Sequence, residues 1–454
     1  MEKRKEEIIL EDAGGFDISA NSKKMLVHNR RSYYIIDIRP KQRLTKRLRS
    51  NELEMMIDPR AEWKQMFMDI WRKYRDYFYD PGMHGIDWEG VRKQYSALLK
   101  DAVTRWDVNF VLGEVIAELN ASHTYVRGGE LEQGERQNVG LLGIDWALEN
   151  SRFRINRIVE AAPWDDIRSP FKQPGIKVKE GDFILAVNGR PLDTNKDPYA
   201  AFQGLAGKTV SLTVNDKPGM QGAHEVIVET LRNETLLRHR EWIEQNRRRV
   251  EEASNGRVGY IYMQDTAFNG QNQLIRQFYS QLDRDGFIID ERFNSGGQLA
   301  NRFVELLSRP IVHYLAWRHS KETQQPQKAN PGPKVMLING WSGSGGDALP
   351  FTFQDQGAGL VIGMRTYGAL IGPAVGHRLV DGGLHTVPEG RIYSNRGVWF
   401  KEGHGVDPDI EVIDDPSQLS KGVDPQLERA IKEVLRMLKE NPPKKVGKPA
   451  YQKR

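Results

Sequence analysis

Val335-Met-Leu-Ile-Asn-Gly-Trp-Ser-Gly-Ser-Gly-Gly-Asp-Ala-Leu-Pro350 is the stretch on which the reading of the fold turns. An apolar run predicts a buried strand over 335–339, small residues predict a sharp turn, and a helix is expected over 348–356. Strand, glycine-rich turn and helix in that order belong to an α/β layer. Ser344, between Gly343 and Gly345, would present its hydroxyl at the helix N-terminus, and the N–H of Gly345 would point where an oxyanion forms. A plain Gly-Ser turn explains the motif as well. Ser342 is the rival nucleophile, farther from the helix start.

Working outward, Ile288-Ile-Asp-Glu-Arg-Phe-Asn-Ser-Gly-Gly297 has the same form, a strand running into glycines and then a helix. Gly297 or Gly296 could donate a second N–H to an oxyanion, or the pair could serve only a tight turn. Around these corners strands are expected at 258–263, 286–290 and 360–362, and helices at 273–282 and 299–307. This alternation gives a largely parallel sheet. A last helix should start at Asp424-Pro425, a cap followed by proline.

Farther out, 140–232 is β-rich, with strands expected at 152–158, 182–187 and 210–214 and a short helix at 198–205. A charged helix over 236–253 links it to the α/β part. Before it, apolar residues at three- and four-residue spacing predict three helices: one from Ala61 to beyond Phe78, one carrying Trp88 to Leu98, and one over 107–120. Their aromatic stripes read as core. Residues 15–38 alternate as strands, either the remnant of a larger β structure or a small docked sheet.

The chain has 454 residues, 28% charged, with a net charge of +5 and no cysteine. Disulfides, a cysteine nucleophile and thiolate metal sites are therefore excluded. The 66 basic residues are scattered among 61 acids, and the clusters at 247–249 and 444–448 read as solvated, so nucleic acid is not an expected partner. No run is apolar enough to span a bilayer, and the charged start, Met1 to Glu7, shows no secretory signal. The expected setting is cytoplasmic.

A serine hydroxyl is a poor nucleophile without a base. Among ten histidines, His123 stands out in Ala121-Ser122-His123-Thr124, at a helix end and before an apolar strand, where the hydroxyl of Ser122 could orient its ring. His404, in Lys401-Glu-Gly-His-Gly-Val-Asp-Pro-Asp409, is the rival. Glu402 there could polarise Ser122 or His123, or be a surface acid.

Together these motifs resemble those of the tricorn-type serine peptidases, relatives of the C-terminal processing peptidases. The resemblance covers about 55–440 and implies a multidomain fold: helical segment 55–130, an inserted PDZ-like β-rich domain 134–232, linker helix 233–255 and a crotonase-like α/β catalytic domain 256–440. A β remnant, 1–54, precedes and a basic tail, 441–454, follows. Pro174 to Leu192 and Gly140-Leu-Leu-Gly143 are similar to PDZ sequences, whose corresponding loop caps a peptide carboxylate, although a spacer role is equally open. The resemblance implies His123 as base, Ser122 and Glu402 completing a Ser–His–Ser–Glu tetrad around Ser344, and Gly297 and Gly345 as oxyanion donors. No metal or organic cofactor is implied. Partners would be peptide substrates and further copies, hexameric in the family with composite active sites.

Several features depart from the family. No lysine lies between Ser344 and Lys401, which argues against the Ser-Lys dyad of the processing peptidases. Gly345 replaces an Asp found in archaeal members. Leu315 aligns with an acid that selects basic substrate residues, so a shift toward apolar ones is expected. Two β-propellers found upstream in the family are absent, so the chain reads as a fragment. Two other readings stand beside peptide hydrolysis: an inactive PDZ-based peptide binder and a noncatalytic lipid or retinoid carrier.

Overall fold

The computed structural model describes residues 6–372, 374–443, 446–451 and 453. Lys444 and Lys445 of the basic tail, and Met1 to Lys5, lie outside the described residues. The chain forms two compact units, Met1–Met66 and Phe67–Arg454. In the first, strands Gly15–Ile18, Lys24–Asn29 and Ser32–Asp37 make an antiparallel sheet. Its small core gathers Met25, Val27 and Ile36.

In the second unit, strands Val258–Tyr262, Gly286–Asp290, Lys334–Ile338, Leu360–Gly363 and Ile410–Glu411 form a parallel sheet in that spatial order. The first three are buried along their whole length, as strands covered on both faces must be. Helices Phe268–Tyr279, Ala300–Leu307 and Gly345–Asp355 supply apolar residues to one core, including Phe278, Phe303 and Phe353. Helix Pro425–Glu440 packs Leu427, Val434 and Leu438 into another. It starts as expected, with Asp424 accepting from the N–H of Leu427 at 3.0 Å. The buried Arg292 guanidinium bonds Asp290 at 2.7 Å and Asp424 at 3.0 Å, fastening this helix start to the strand end.

The β-rich module is an antiparallel sheet ordered His224–Glu229, Thr209–Asn215, Phe183–Val187, Arg152–Ile158, Ile144–Glu149, with Arg190–Pro191 paired to Phe183–Val187. The expected short helix is only one 3₁₀ segment, Pro198–Phe202. Gln203 instead pairs with Val139 as extended chain, which ends it.

The Gly140–Gly143 loop differs from the sequence reading. The N–H of Gly140 donates to the Phe202 carbonyl at 2.9 Å and that of Leu141 to the Leu231 carbonyl at 3.0 Å. Gly143 donates to the Glu234 carboxylate at 2.9 Å. The buried Leu237 packs against Gly143 so closely that a Cβ there would come within 2.7 Å of its Cδ2. Three donors expected to cap an incoming carboxylate are thus engaged within the chain.

Helices Pro59–Tyr77, Trp88–Leu98 and Arg105–Ala117 precede this module. Thr104 and Asp107 form a capping box at the third. The segment after His123 is less of a strand than its apolar sequence suggested. Only Val126–Arg127 pairs regularly, against the hairpin Ala374–Arg378/Leu384–Pro388. Among the described residues, no helix is long and apolar enough to cross a membrane.

Candidate active site

The parallel register pairs Asp290 with Leu337, so two neighbouring strands end side by side and their glycine-rich corners leave the sheet together. Ligand sites of open α/β sheets form outside such carboxyl ends. The corners interlock. The N–H of Gly343 donates to the Asn294 carbonyl at 3.2 Å. The buried Ser342 hydroxyl donates to the Glu291 carbonyl at 2.8 Å, which makes Ser342 a brace and leaves Ser344 as the displayed serine.

Ser344 has φ 59°, an uncommon conformation for a residue with a side chain. Such backbone is held by its surroundings at a cost of about 1–3 kcal/mol. The surroundings here centre on Asp347. Its fully buried carboxylate accepts from the N–H groups of Ser344 at 2.8 Å, Gly368 at 2.8 Å and Ala369 at 2.9 Å, and from the Thr366 hydroxyl. Burial raises its pKa against the lowering effect of these bonds. Asp347 was not singled out from sequence, although Ser-x-x-Asp at a helix start is a capping signal.

His123 Nε2 lies 2.9 Å from Ser344 Oγ, and His123 Nδ1 lies 3.1 Å from Ser122 Oγ. The sequence-predicted serine and histidine therefore meet across 221 residues of chain. The His123 carbonyl accepts from the Thr386 hydroxyl at 2.6 Å, and Thr386 Oγ1 in turn accepts from the Tyr125 N–H at 2.9 Å. This hairpin threonine clamps the histidine turn from a place sequence spacing could not reveal. The rival His404 bonds Asp407 at 2.8 Å instead.

Glu402 reaches the site differently from the expectation. One oxygen accepts the backbone N–H of Ser122 at 2.8 Å and the other that of Leu370 at 2.9 Å. Among the described residues it hydrogen-bonds neither the Ser122 hydroxyl nor the imidazole, and its bonds hold the backbone of the Ser-His turn.

Gly296 donates its N–H to Asn294 Oδ1 at 2.9 Å. Gly297 and Gly345 both line the cavity beside Ser344, and among the described residues neither donates its N–H to a protein acceptor. Their approach is so close that a Cβ on Gly345 would stand 2.0 Å from Thr266 Oγ1 and 2.4 Å from the Gly297 carbonyl. Gly297, at φ +139°, lies in the region that favours glycine. A side chain at position 345 has no room in this arrangement. Leu315 sits on the hairpin His313–Leu315/Thr323–Gln325 and does not line this cavity.

The cavity, about 560 Å³, has Leu370, Ile371 and Ile392 as its larger apolar wall groups. An alcohol bonded to an imidazole, with two free backbone donors beside it, is equipped for acyl transfer. Among the described residues, no group of three or more His, Asp or Glu side chains could hold a metal ion.

Comparison with known proteins assigns the segments that carry this site. Residues 59–117 match the Tricorn protease C1 domain, 140–233 the Tricorn protease PDZ domain, and 257–412 Peptidase family S41. Tricorn protease homolog 1 of Streptomyces coelicolor is 37% identical over 95% of this chain, which spans 41% of that relative. A putative Tricorn-like protease C-terminal subunit of Sulfurisphaera tokodaii is 31% identical, with 97% of this chain and 52% of the relative covered. The crystal structure of the tricorn protease superposes with a TM-score of 0.84 at 25% identity, over 94% of this chain and 42% of that one. The chain thus spans about half or less of the length of these relatives. With its C1, PDZ and S41 segments in order, it belongs to the tricorn-type branch of peptidase family S41.

Proposed function

We propose that this chain hydrolyses peptide bonds through an acyl-enzyme, with Ser344 as nucleophile and His123 as base, acting on oligopeptides or unfolded polypeptides. The observation that carries this reading is the 2.9 Å bond from His123 Nε2 to Ser344 Oγ. The mechanism uses the tautomer protonated on Nδ1, 3.1 Å from Ser122 Oγ, which leaves Nε2 free to accept. Ser344 Oγ attacks the carbonyl carbon as its proton passes to Nε2. The N–H groups of Gly345 and Gly297 receive the oxyanion, a contribution of about 3–4 kcal/mol per donor in comparable sites. The Nε2 proton then leaves with the amine product, and water, deprotonated by the same nitrogen, releases the acyl group.

In this reading 55–130 and 256–440 together make the catalytic body, 134–232 is an inserted PDZ-like domain and 233–255 its linker. Glu402 and Ser122 position His123. Assembly into a homo-oligomer is part of the proposal. Leu315, away from the cavity, would meet substrate only when delivered from another copy. The engaged Gly140–Gly143 loop gives no support to the alternative of a peptide-binding protein without catalysis. Steady-state hydrolysis of an unfolded protein tests the proposal. Ser344→Ala and His123→Ala should each lower kcat by about 10³-fold or more with the fold intact, and unchanged rates would refute it.

A further inference from the structure

The cavity beside Ser344 has an uneven charge. Its lining includes neutral polar Gln298 and Asn301 but no carboxylate, and Arg127 is its one permanent charge among the described residues. A substrate lysine or arginine entering it would be desolvated without a counter-ion, an unfavourable exchange.

Arg127 itself has no carboxylate partner among the described residues. Nearby Arg105 is paired with Asp381 at 2.6 Å, so the local chain does supply acids where they are structural. The Arg127 guanidinium lies 5.5 Å from the ring centre of Tyr125, and that ring meets the His123 imidazole edge-on at 6.3 Å. His123 lies in the turn that precedes this segment, at φ 56°, and Tyr125 and Arg127 follow it, two residues apart, as the chain enters the short strand Val126–Arg127. The backbone there is fixed by the Thr386 N–H bonding the Tyr125 carbonyl at 3.0 Å and by Leu384 paired with Arg127. The cation is therefore held no farther from the imidazole than about four residues of extended peptide.

We propose that Arg127 is a specificity-determining residue that recognises an anionic group of the peptide within four residues of the scissile bond. The inference rests on the peptidase reading above and adds a substrate class to it. A guanidinium accepts a carboxylate bidentately, which suits an Asp or Glu side chain or the peptide's own free C-terminal carboxylate.

The test uses the full chain and matched peptides: one with a free C-terminus, one amidated, and amidated versions carrying Glu, Gln or Lys two to four residues either side of the cleaved bond. Wild type should cleave the best-placed anionic peptide with a kcat/KM about fivefold or more above its neutral counterpart, with Lys peptides lowest. The preference should shrink as salt rises. Arg127→Glu should reverse the order, and Arg127→Lys should keep its direction. Preference for the free C-terminus over the amide, without a Glu effect, assigns the terminal carboxylate as ligand, and the converse assigns a side chain. A wild-type enzyme that cleaves all peptides within twofold regardless of charge overturns the inference alone, as does Arg127→Glu with an unchanged order. Absence of cleavage together with absence of fluorophosphonate labelling at Ser344 overturns the peptidase reading, and this inference with it.

Discussion

Asp347 accepts the backbone N–H of Ser344 at 2.8 Å from three residues farther along the chain, and with its other oxygen it accepts the N–H of Gly368. One buried carboxylate thus joins the serine turn to the 366–370 loop, whose Leu370 N–H is held by Glu402, which in turn holds Ser122. Asp347→Ala leaves several buried donors unpaired, each costing about 1–3 kcal/mol. We expect the urea midpoint to fall and kcat to drop more than tenfold. Asp347→Asn, which keeps one carbonyl oxygen, should lie between wild type and Asp347→Ala in both measurements.

The oxyanion corner has no spare room. Gly345→Ala pushes a methyl into Thr266 and the Gly297 backbone. The expected result is a fall in kcat of about 10²–10³-fold. Adding Thr266→Ala should recover part of the lost stability without restoring kcat, because the Gly297 contact remains. Thermal unfolding and steady-state kinetics on the single and double variants separate the two effects.

His385 lies on the hairpin that clamps His123, one residue before Thr386. It stacks on His377 at 5.3 Å, near Lys73 and Asp69, and burial lowers its pKa to about 4. A histidine ordinarily titrating near 6.5 is thus neutral in the fold. The unfolded chain binds the proton first on acidification. The stability this group contributes is therefore fully present above about pH 6.5 and is lost as pH falls toward 4. We expect the melting midpoint to decline across that window, and the decline to be smaller in His385→Phe. Equal declines in the two proteins would contradict this assignment.

The Gly143–Glu234 bond yields a prediction for the PDZ-like domain. Peptides ending in a free carboxylate should show no saturable binding to this domain at micromolar concentration, read by fluorescence anisotropy with a Ser344→Ala/Arg127→Glu chain, in which the cavity cation is removed. Glu234→Ala frees the Gly143 N–H and also breaks the ion pair with Arg238 at 2.8 Å. It should lower stability by about 1–2 kcal/mol.

Much of the site was legible because its determinants are local. Strand, glycines and helix around Ser344, the Ser-His pair and the capped last helix each declare themselves within a few residues. Boundaries failed where side chains cap a helix through weak formers. The helix expected at 348 begins at Gly345, since Asp347 organises a Gly-Gly start. The one expected at 273 begins at Phe268, since Asp265 accepts the N–H groups of Ala267 and Gly270 at 2.8 Å. What stayed hidden is non-local: the Thr386 clamp on His123, Arg127 in the cavity wall, and Glu402 bonding the backbone rather than the hydroxyl of Ser122. Each depends on segments more than 200 residues apart meeting in space, and neither periodicity nor motif spacing encodes that meeting.

The central claim is that His123 activates Ser344. Incubation of the native chain with a fluorophosphonate, followed by intact mass and peptide mapping, tests it most directly. The account predicts a single adduct on Ser344, formed by wild type, and lost in urea and in His123→Ala. An unlabelled native protein, or labelling of Ser344 that persists at the same rate in His123→Ala, would contradict it.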